Sequence, residues 1–187
     1  MNKYLIVGLG NIGDEYAHTR HNIGFDIIDE LAKQNAVRFQ LSRYAFHAQY
    51  QYKRRTVNLI KPTTYMNLSG KAVKYWMQAA NVNIENTLIL VDELAIDFNT
   101  IRLRAKGSHG GHNGLQSIAD ALASTHYPRL RFGIGSGFPR GKQVDYVLSK
   151  WTKKEEEILW QGIDLAIQAI VSFLVVGLDK TMTQFNK

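Results

Sequence analysis

Polar side chains suited to acid–base chemistry follow the predicted strands at four places in the sequence. These are Asn11 after the first strand, the segment TTYMNLSG after a predicted hairpin, Asp92 and Glu93 at the end of LILVDE, and the segment SHGGHNG at 108–114. Ligands of open α/β sheets bind where the carboxyl ends of the strands meet the loops. These four segments are therefore the candidates for a functional site.

His21 and Asp92 have the residue types of a general base and its supporting carboxylate. Asp92 ends an apolar strand, where a carboxylate has little reason to be unless it is hydrogen-bonded or orients a base. An imidazole near its unperturbed pKa of about 6.5, held by such a carboxylate, is a suitable base at neutral pH. The alternatives are a solvated strand end or helix cap for Asp92 and a structural role for His21.

A G-x-G-x-x-G motif begins at Gly8 and raises the alternative of a dinucleotide site. In such sites the third glycine lies inside a helix, and an acidic residue about twenty positions later, at the end of the second strand, binds the ribose. Here the helical pattern starts only near residue 22, and Asp29 and Glu30 lie on the polar face of that helix. The motif instead predicts a tight turn that presents Asn11 and brings TRHN back over the same strand end.

Two histidine pairs at i, i+3 spacing, His18 with His21 and His109 with His112, leave a metal site as a further alternative. Ligand geometry for the second pair would rest on a flexible glycine-rich loop without a nearby carboxylate in sequence. The glycines there more readily let the backbone approach a ligand, while Asn113 offers an amide donor and acceptor. The histidine spacing therefore does not lead us to predict a metal site.

Composition limits the class of protein. The chain has 187 residues, of which 45% are hydrophobic, enough for one well-buried core and short for two. The absence of cysteine excludes disulfides, thiolate zinc sites and a cysteine nucleophile. The net charge of +7 favours a polyanionic partner such as RNA, although many basic proteins bind none.

The apolar segments are short. The N-terminal run is too short for a signal peptide, and the late stretch AIVSFLVVGL is about half of a membrane span. The sequence therefore predicts a soluble, cytoplasmic protein that does not insert into a membrane.

Strand and helix patterns alternate along the chain. The segments AFHAQYQY and TVNLI predict a hairpin joined at KRR. Helices are predicted at about residues 22–35, 69–80, 115–123 and 152–176, the last opening with a capping box of Thr152 and Glu155. This alternation predicts a single domain, residues 1–187, folded as a three-layer α/β/α sandwich around a twisted mixed sheet.

Four motifs, GLGNIG…Y…TRHN.G, TTYMNLSG, VDEL and GGHNGL, occur in this order at separations that resemble bacterial-type peptidyl-tRNA hydrolase. The resemblance covers most of the chain. It implies a cofactor-free, metal-independent esterase that releases peptides from peptidyl-tRNA dropped by the ribosome and so recycles tRNA. An RNA-binding protein without catalysis is the alternative from another class, and the joint presence of His21, Asp92, Asn67 and Asn113 argues against it.

Roles follow from the resemblance residue by residue. His21 is implied to activate water, Asp92 to stabilise it, and Asn11 to distinguish a blocked α-amino group from a free one. The implied contacts to the tRNA end and the peptide are Tyr16, Tyr65, Met66, Asn67 and Asn113.

Two positions depart from the family pattern. Ile12 replaces the usual proline, which puts the rigidity of the turn in doubt, and Ala95 stands where an acidic residue is frequent. Neither departure touches the implied base.

Alternating basic residues suggest where the RNA backbone binds. Arg102, Arg104 and Lys106 alternate along one predicted strand, and Arg129 and Arg131 along the next. A solvated strand face is the alternative, but with an RNA substrate implied we expect phosphate contacts from Arg102, Arg104 and Arg131. The expected partner is tRNA, with no obligate protein partner and a monomeric chain.

Overall fold

Seven strands form one mixed sheet in the computed structural model, which describes residues 2–187. The strands are β1 (Asn2–Gly8), β2 (Gln40–Leu41), β3 (Ala45–Tyr52), β4 (Arg55–Pro62), β5 (Thr87–Glu93), β6 (Ile101–Arg104) and β7 (Arg129–Gly133). Their order across the sheet is β2-β3-β4-β1-β5-β7-β6. β4, β1, β5 and β7 run parallel, and antiparallel pairs complete both edges.

Helices cover both faces of this sheet. They are α1 (Ile23–Gln34), α2 (Ser69–Ala79), α3 (Asn113–Leu122), α4 (Gln143–Val147), α5 (Lys153–Val176) and α6 (Leu178–Phe185). One apolar cluster joins the sheet to α1 and α5, and the other joins it to α2 and α3. The predicted α/β sandwich with a mixed sheet is therefore confirmed.

The hairpin is confirmed by the pairing of β3 with β4. Its connection is Lys53 and Arg54, both with positive φ, as a two-residue turn between right-twisted strands requires. α5 begins with the predicted capping box, in which the Thr152 hydroxyl accepts from the Glu155 N–H and the Glu155 carboxylate accepts from the Thr152 N–H. The sequence patterns did not predict β2, α4 and α6, and α3 starts two residues earlier than expected.

α5 is long and apolar enough, by length and composition alone, to cross a membrane. One side of the helix packs into the core through Ala166, Ile170, Phe173 and Leu174. Burial of this kind is typical of a core helix, and we interpret α5 in that way.

The glycines near the first strand permit a close crossing of β1 and α1. A Cβ on Gly8 would collide with the backbone carbonyl of Gly24, the second residue of α1. Gly13 has a φ of 114°, which a residue with a side chain rarely adopts. The motif thus serves a tight turn and a close helix–strand contact, which bring the segment before α1 over the end of β1.

Candidate active site

A cleft of about 370 Å³ opens at the carboxyl ends of β1 and β5. Seven of the eight predicted catalytic and substrate-binding residues line it: Asn11, His21, Tyr65, Met66, Asn67, Asp92 and Asn113. Tyr16 is the exception, because it lies in a short 3-10 turn, Asp14–Tyr16, and is not among the lining residues. The four candidate segments therefore meet at one site, as the sheet-edge rule predicts.

His21 and Asp92 are hydrogen-bonded within this cleft. The Nδ1 atom of His21 lies 2.8 Å from Oδ2 of Asp92. The aspartate side chain is 3% exposed and that of the histidine 13%. Because an ionised carboxylate only accepts hydrogen bonds, the network assigns the proton to Nδ1 and leaves Nε2 of His21 with a free lone pair. That tautomer can take a proton from water.

His21 is held in place by its neighbours on both sides. Arg20 is buried, and its guanidinium donates to the Glu155 carboxylate at 2.7 Å and to the Lys150 carbonyl at 2.7 Å. Asn22 is also buried and bonds twice to the Asn11 backbone, as acceptor from its N–H and as donor to its carbonyl. These contacts fix the short turn that carries His21.

His112 contacts the same carboxylate from the other side, a role that the sequence analysis missed. Its Nε2 lies 2.8 Å from Oδ1 of Asp92. Its Nδ1 accepts from the backbone N–H groups of Gly114 and Leu115, at 3.1 and 3.4 Å, so the side chain also caps α3. The cap forces the proton onto Nε2. The position just before the first turn of a helix was the available signal, since polar side chains there accept backbone N–H groups.

The two histidines shift the titration of Asp92. Burial alone raises the pKa of this carboxyl, but His21 and His112 together hold it well below its usual range. Asp92 is therefore an anion at neutral pH.

The pKa of His21 is shifted in the opposite direction. Burial lowers it, but the charge of Asp92 and the hydrogen bond to it outweigh burial, and the net pKa is raised above 6.5. The imidazole is consequently a stronger base. A smaller fraction of it is unprotonated at pH 7, however, and only that fraction can accept a proton.

His21, Asp92 and His112 could also suggest a metal ligand set, since their donor atoms lie within 4.8 Å of one another. However, both imidazole nitrogens that face Asp92 are required as proton donors to it. Coordination through Nε2 of His112 would move its proton to Nδ1, which already accepts backbone N–H groups. The arrangement therefore favours a hydrogen-bonded triad over metal binding.

Asn11 orients its amide through a backbone contact. Its Oδ1 accepts from the N–H of Met66 at 2.8 Å, which leaves the Nδ2 group as the free end of a buried side chain that lines the cleft. Amide groups of the exposed residues Asn67 and Asn113 lie across the same cleft. The site thus offers several neutral hydrogen-bond donors and acceptors around one base.

Apolar side chains complete the cleft. Met66 is buried beneath it, and a Cβ on Gly114 would collide with the Met66 sulfur. Val144, Val147 and Leu148, from α4 and the residue after it, line the opposite side. This wall was not predicted, because a five-residue helix has too little periodicity to be recognised.

The predicted phosphate-binding residues line a separate cleft of about 420 Å³. The register of β6 and β7 pairs Arg102 with Arg131 and Arg104 with Arg129. Arg102, Arg104 and Arg131 line this cleft. Arg129 is buried at 2% exposure, and its guanidinium donates to the carbonyls of Gly107 and Thr125. Arg129 therefore has a structural role, although it alternates with Arg131 along the same strand.

Comparison with known proteins identifies the family to which the chain belongs. The family model for peptidyl-tRNA hydrolase matches residues 5–187. The chain is 52% identical to the peptidyl-tRNA hydrolase of Bacteroides fragilis over 185 residues, covering 99% of both chains. It is 51% identical to that of Cytophaga hutchinsonii over 184 residues, covering 98% of both.

A solved structure agrees with these sequence matches. The crystal structure of peptidyl-tRNA hydrolase from Acinetobacter baumannii superposes with a TM-score of 0.92 at 34% identity, over 99% of this chain and 95% of that one. The chain therefore belongs to the peptidyl-tRNA hydrolase family.

Proposed function

We propose that this chain hydrolyses the ester bond between peptide and tRNA with a water molecule activated by His21. Its family membership supports hydrolysis of peptidyl-tRNA. The observation that carries the role of the base is the 2.8 Å contact of His21 Nδ1 with Asp92, which leaves Nε2 available to a water in the cleft. The substrate is peptidyl-tRNA released prematurely from ribosomes, and its hydrolysis recycles the tRNA.

The reaction builds a negative charge on the carbonyl oxygen of the ester. Neutral donors aimed at that oxygen stabilise the transition state without a metal ion. The Asn113 amide lines the same cleft as His21 and supplies such a donor. The leaving group is a ribose hydroxyl, to which the protonated His21 returns its proton.

Asn11 recognises the blocked α-amino group of the peptide by donating from Nδ2 to the carbonyl oxygen of its acyl group, which a free amino group lacks. Its Oδ1 is held by the Met66 N–H, so Nδ2 points its hydrogen atoms away from that contact and is the free donor of the amide. Tyr65, Met66, Asn67 and Asn113 complete the contacts to the peptide and the tRNA end within the cleft, and Tyr16 contacts the substrate from outside its lining.

The RNA backbone is bound outside the catalytic cleft. Arg102, Arg104 and Arg131 together line one cleft on the sheet edge, and their charges suit phosphates. Such contacts read shape and phosphate position rather than base sequence, as an enzyme that accepts many tRNAs requires. The partner of the chain is tRNA, with no membrane and no obligate protein partner.

The chain acts as a monomer in the cytoplasm. Residues from a single chain supply the base, its carboxylate, the amides and the basic cleft, so the proposed reaction needs no second subunit. A cytoplasmic location agrees with a tRNA substrate and with a sequence that contains no cysteine.

Release of labelled N-acetyl-amino acid from N-acetyl-aminoacyl-tRNA tests this function. The wild-type chain should release it, and His21→Ala should lose nearly all release. His18→Ala is the matched control, because His18 lies in the same loop but bonds to Asp26 and does not line the cleft. An active His21→Ala variant would assign the base to another group.

A further inference from the structure

Glu93 lies between the two clefts and takes no part in the chemistry described above. It follows Asp92 in β5 and lines the catalytic cleft. Its Oε2 accepts from Nε of Arg131 at 2.9 Å and lies 2.8 Å from Nη2 of the same guanidinium. Arg131 in turn lines the basic cleft with Arg102 and Arg104. A single ion pair therefore connects the residues of the two clefts.

The ion pair is fixed on both sides. The second oxygen of the Glu93 carboxylate, Oε1, accepts from the backbone N–H of Ala95 at 2.9 Å. Arg131 stands on β7, where its register partner on β5 is Val91, two residues before Glu93. Neighbouring strands of one sheet thus hold the carboxylate and the guanidinium at a set distance from Asp92.

Only part of the guanidinium is used by this contact. Nε donates to Glu93 and Nη2 lies in ion-pair contact with the same oxygen, and within residues 2–187 the guanidinium donates to no other protein acceptor. Arginine carries five N–H donors in a rigid fork that suits phosphate. The pair is partly accessible, with side-chain exposures of 24% for Arg131 and 21% for Glu93. Arg131 can therefore keep its carboxylate while it binds an anion.

A carboxylate beside a phosphate-binding arginine weakens the attraction for phosphate but restricts the conformations of the side chain. The basic cleft contains a further carboxylate, Asp97, and the positive charge of Lys187. Binding strength alone would be better served without Glu93. The ion pair with Glu93 is useful to the enzyme if the exact position of the bound phosphate matters for the reaction.

We propose that Glu93 is a positioning residue, which holds Arg131 so that an RNA phosphate bound in the basic cleft places the ester at His21. This inference rests on the proposed function. Glu93 then affects the turnover of substrates that carry phosphates. It does not contact the reacting atoms.

Two substrates separate this role from a structural one. The first is N-acetyl-aminoacyl-tRNA, and the second is the same N-acetyl-amino acid esterified to adenosine, which carries no phosphate and cannot use Arg131. Glu93→Gln should lower kcat on the tRNA ester about tenfold, the scale of a small misplacement of the reacting groups. KM should be unchanged or lower, because a competing negative charge is lost. The rate on the adenosine ester should stay within about twofold of wild type.

Glu85→Gln is the matched control. Glu85 lies in the short turn just before β5, at the opposite end of the strand, and its change removes the same single charge. It should leave both substrates unaffected. A gain in tRNA affinity shared by both variants would reflect net charge alone and would overturn the positioning role.

A double-mutant cycle with Arg131→Gln gives a second, independent measurement on the tRNA ester. Glu93→Gln combined with Arg131→Gln should be no slower in kcat/KM than Arg131→Gln alone, because Glu93 acts only through that arginine. Additive losses in the cycle, or equal losses of Glu93→Gln on both substrates, would overturn the inference. Failure of the wild-type chain to hydrolyse either ester would instead contradict the proposed function itself.

Discussion

Asp92 and His112 share a hydrogen bond of 2.8 Å that uses the carboxylate oxygen not bound to His21. The aspartate thus has one imidazole donor on each oxygen, and the two donors compete for its charge. This relationship links the strength of the base at His21 to a residue that is itself fixed by the first turn of α3.

His112→Ala should change the pH dependence of the reaction. Without the second donor the full charge of Asp92 acts on His21, so the pKa of His21 should rise further and the acid limb of kcat/KM should move to higher pH. Loss of the α3 cap should also lower the free energy of unfolding by about 1 kcal/mol. A pH–rate profile with thermal denaturation checks both effects. An acid limb that stays in place or moves to lower pH would show that His112 does not act through Asp92.

Asn11→Ala should relax selectivity more than it slows the reaction on a blocked substrate. Loss of the Nδ2 donor removes a contact to the carbonyl oxygen of the acyl group, which a free amino group lacks, and this contact is worth about 1 to 3 kcal/mol. The measurement is kcat/KM on N-acetyl-aminoacyl-tRNA and on the same aminoacyl-tRNA with a free amino group. Equal losses on the two esters would assign Asn11 to the structure of the turn, through its bond to Met66.

Chelators should leave activity intact. Both imidazoles around Asp92 serve as proton donors to it, which leaves no free ligand set among His21, Asp92 and His112. Activity after dialysis against EDTA, with and without added zinc, checks this. Loss of hydrolysis that zinc restores would turn the triad into a metal site.

Asp26→Asn should stabilise the fold at neutral pH. Burial raises the pKa of Asp26 to about 6, although His18 opposes the shift. The native state therefore binds more protons than the unfolded state between about pH 4 and pH 6, and stability falls as pH rises through this window. Asparagine removes that penalty, so the free energy of unfolding at pH 7.5 should rise by roughly 1 to 3 kcal/mol.

Urea unfolding of Asp26→Asn at pH 7.5 and at pH 4 provides the comparison. Near pH 4 wild-type Asp26 is already mostly protonated in the folded state, so the two proteins should then be nearly equal. A loss of stability at pH 7.5, or the same change at both pH values, would mean that the bond to His18 matters more than burial.

The sequence predicted those parts of the site that depend on local pattern. Asp92 stood out because a carboxylate ended an apolar strand, and the TRHN segment because the glycine turn had to return over β1. The apolar periodicity located α1, and the capping box of Thr152 and Glu155 located the start of α5.

The remaining features depend on tertiary packing. Arg129 and Arg131 belong to the same alternating pattern on one strand. Arg129 is nevertheless buried and donates to backbone carbonyls, whereas Arg131 donates to Glu93 at the edge of a cleft. His112 reaches Asp92 only because α3 starts at Asn113. The sequence pattern had predicted that this helix starts two residues later. Short helices such as α4 are stabilised by their tertiary contacts and not by the helix propensity of their residues.

The pairing of His21 with Asp92 is best tested by a double-mutant cycle of the two residues, measured as pH–rate profiles on N-acetyl-aminoacyl-tRNA. His21→Ala should lower kcat by about 10² to 10⁴, and Asp92→Asn by less, because the imidazole survives without its anion. Asp92→Asn should also shift the acid limb to lower pH, since the carboxylate raises the pKa of His21. The double variant should be hardly slower than His21→Ala, because the aspartate acts only through the histidine. Additive losses, or an acid limb that does not move, would contradict the account.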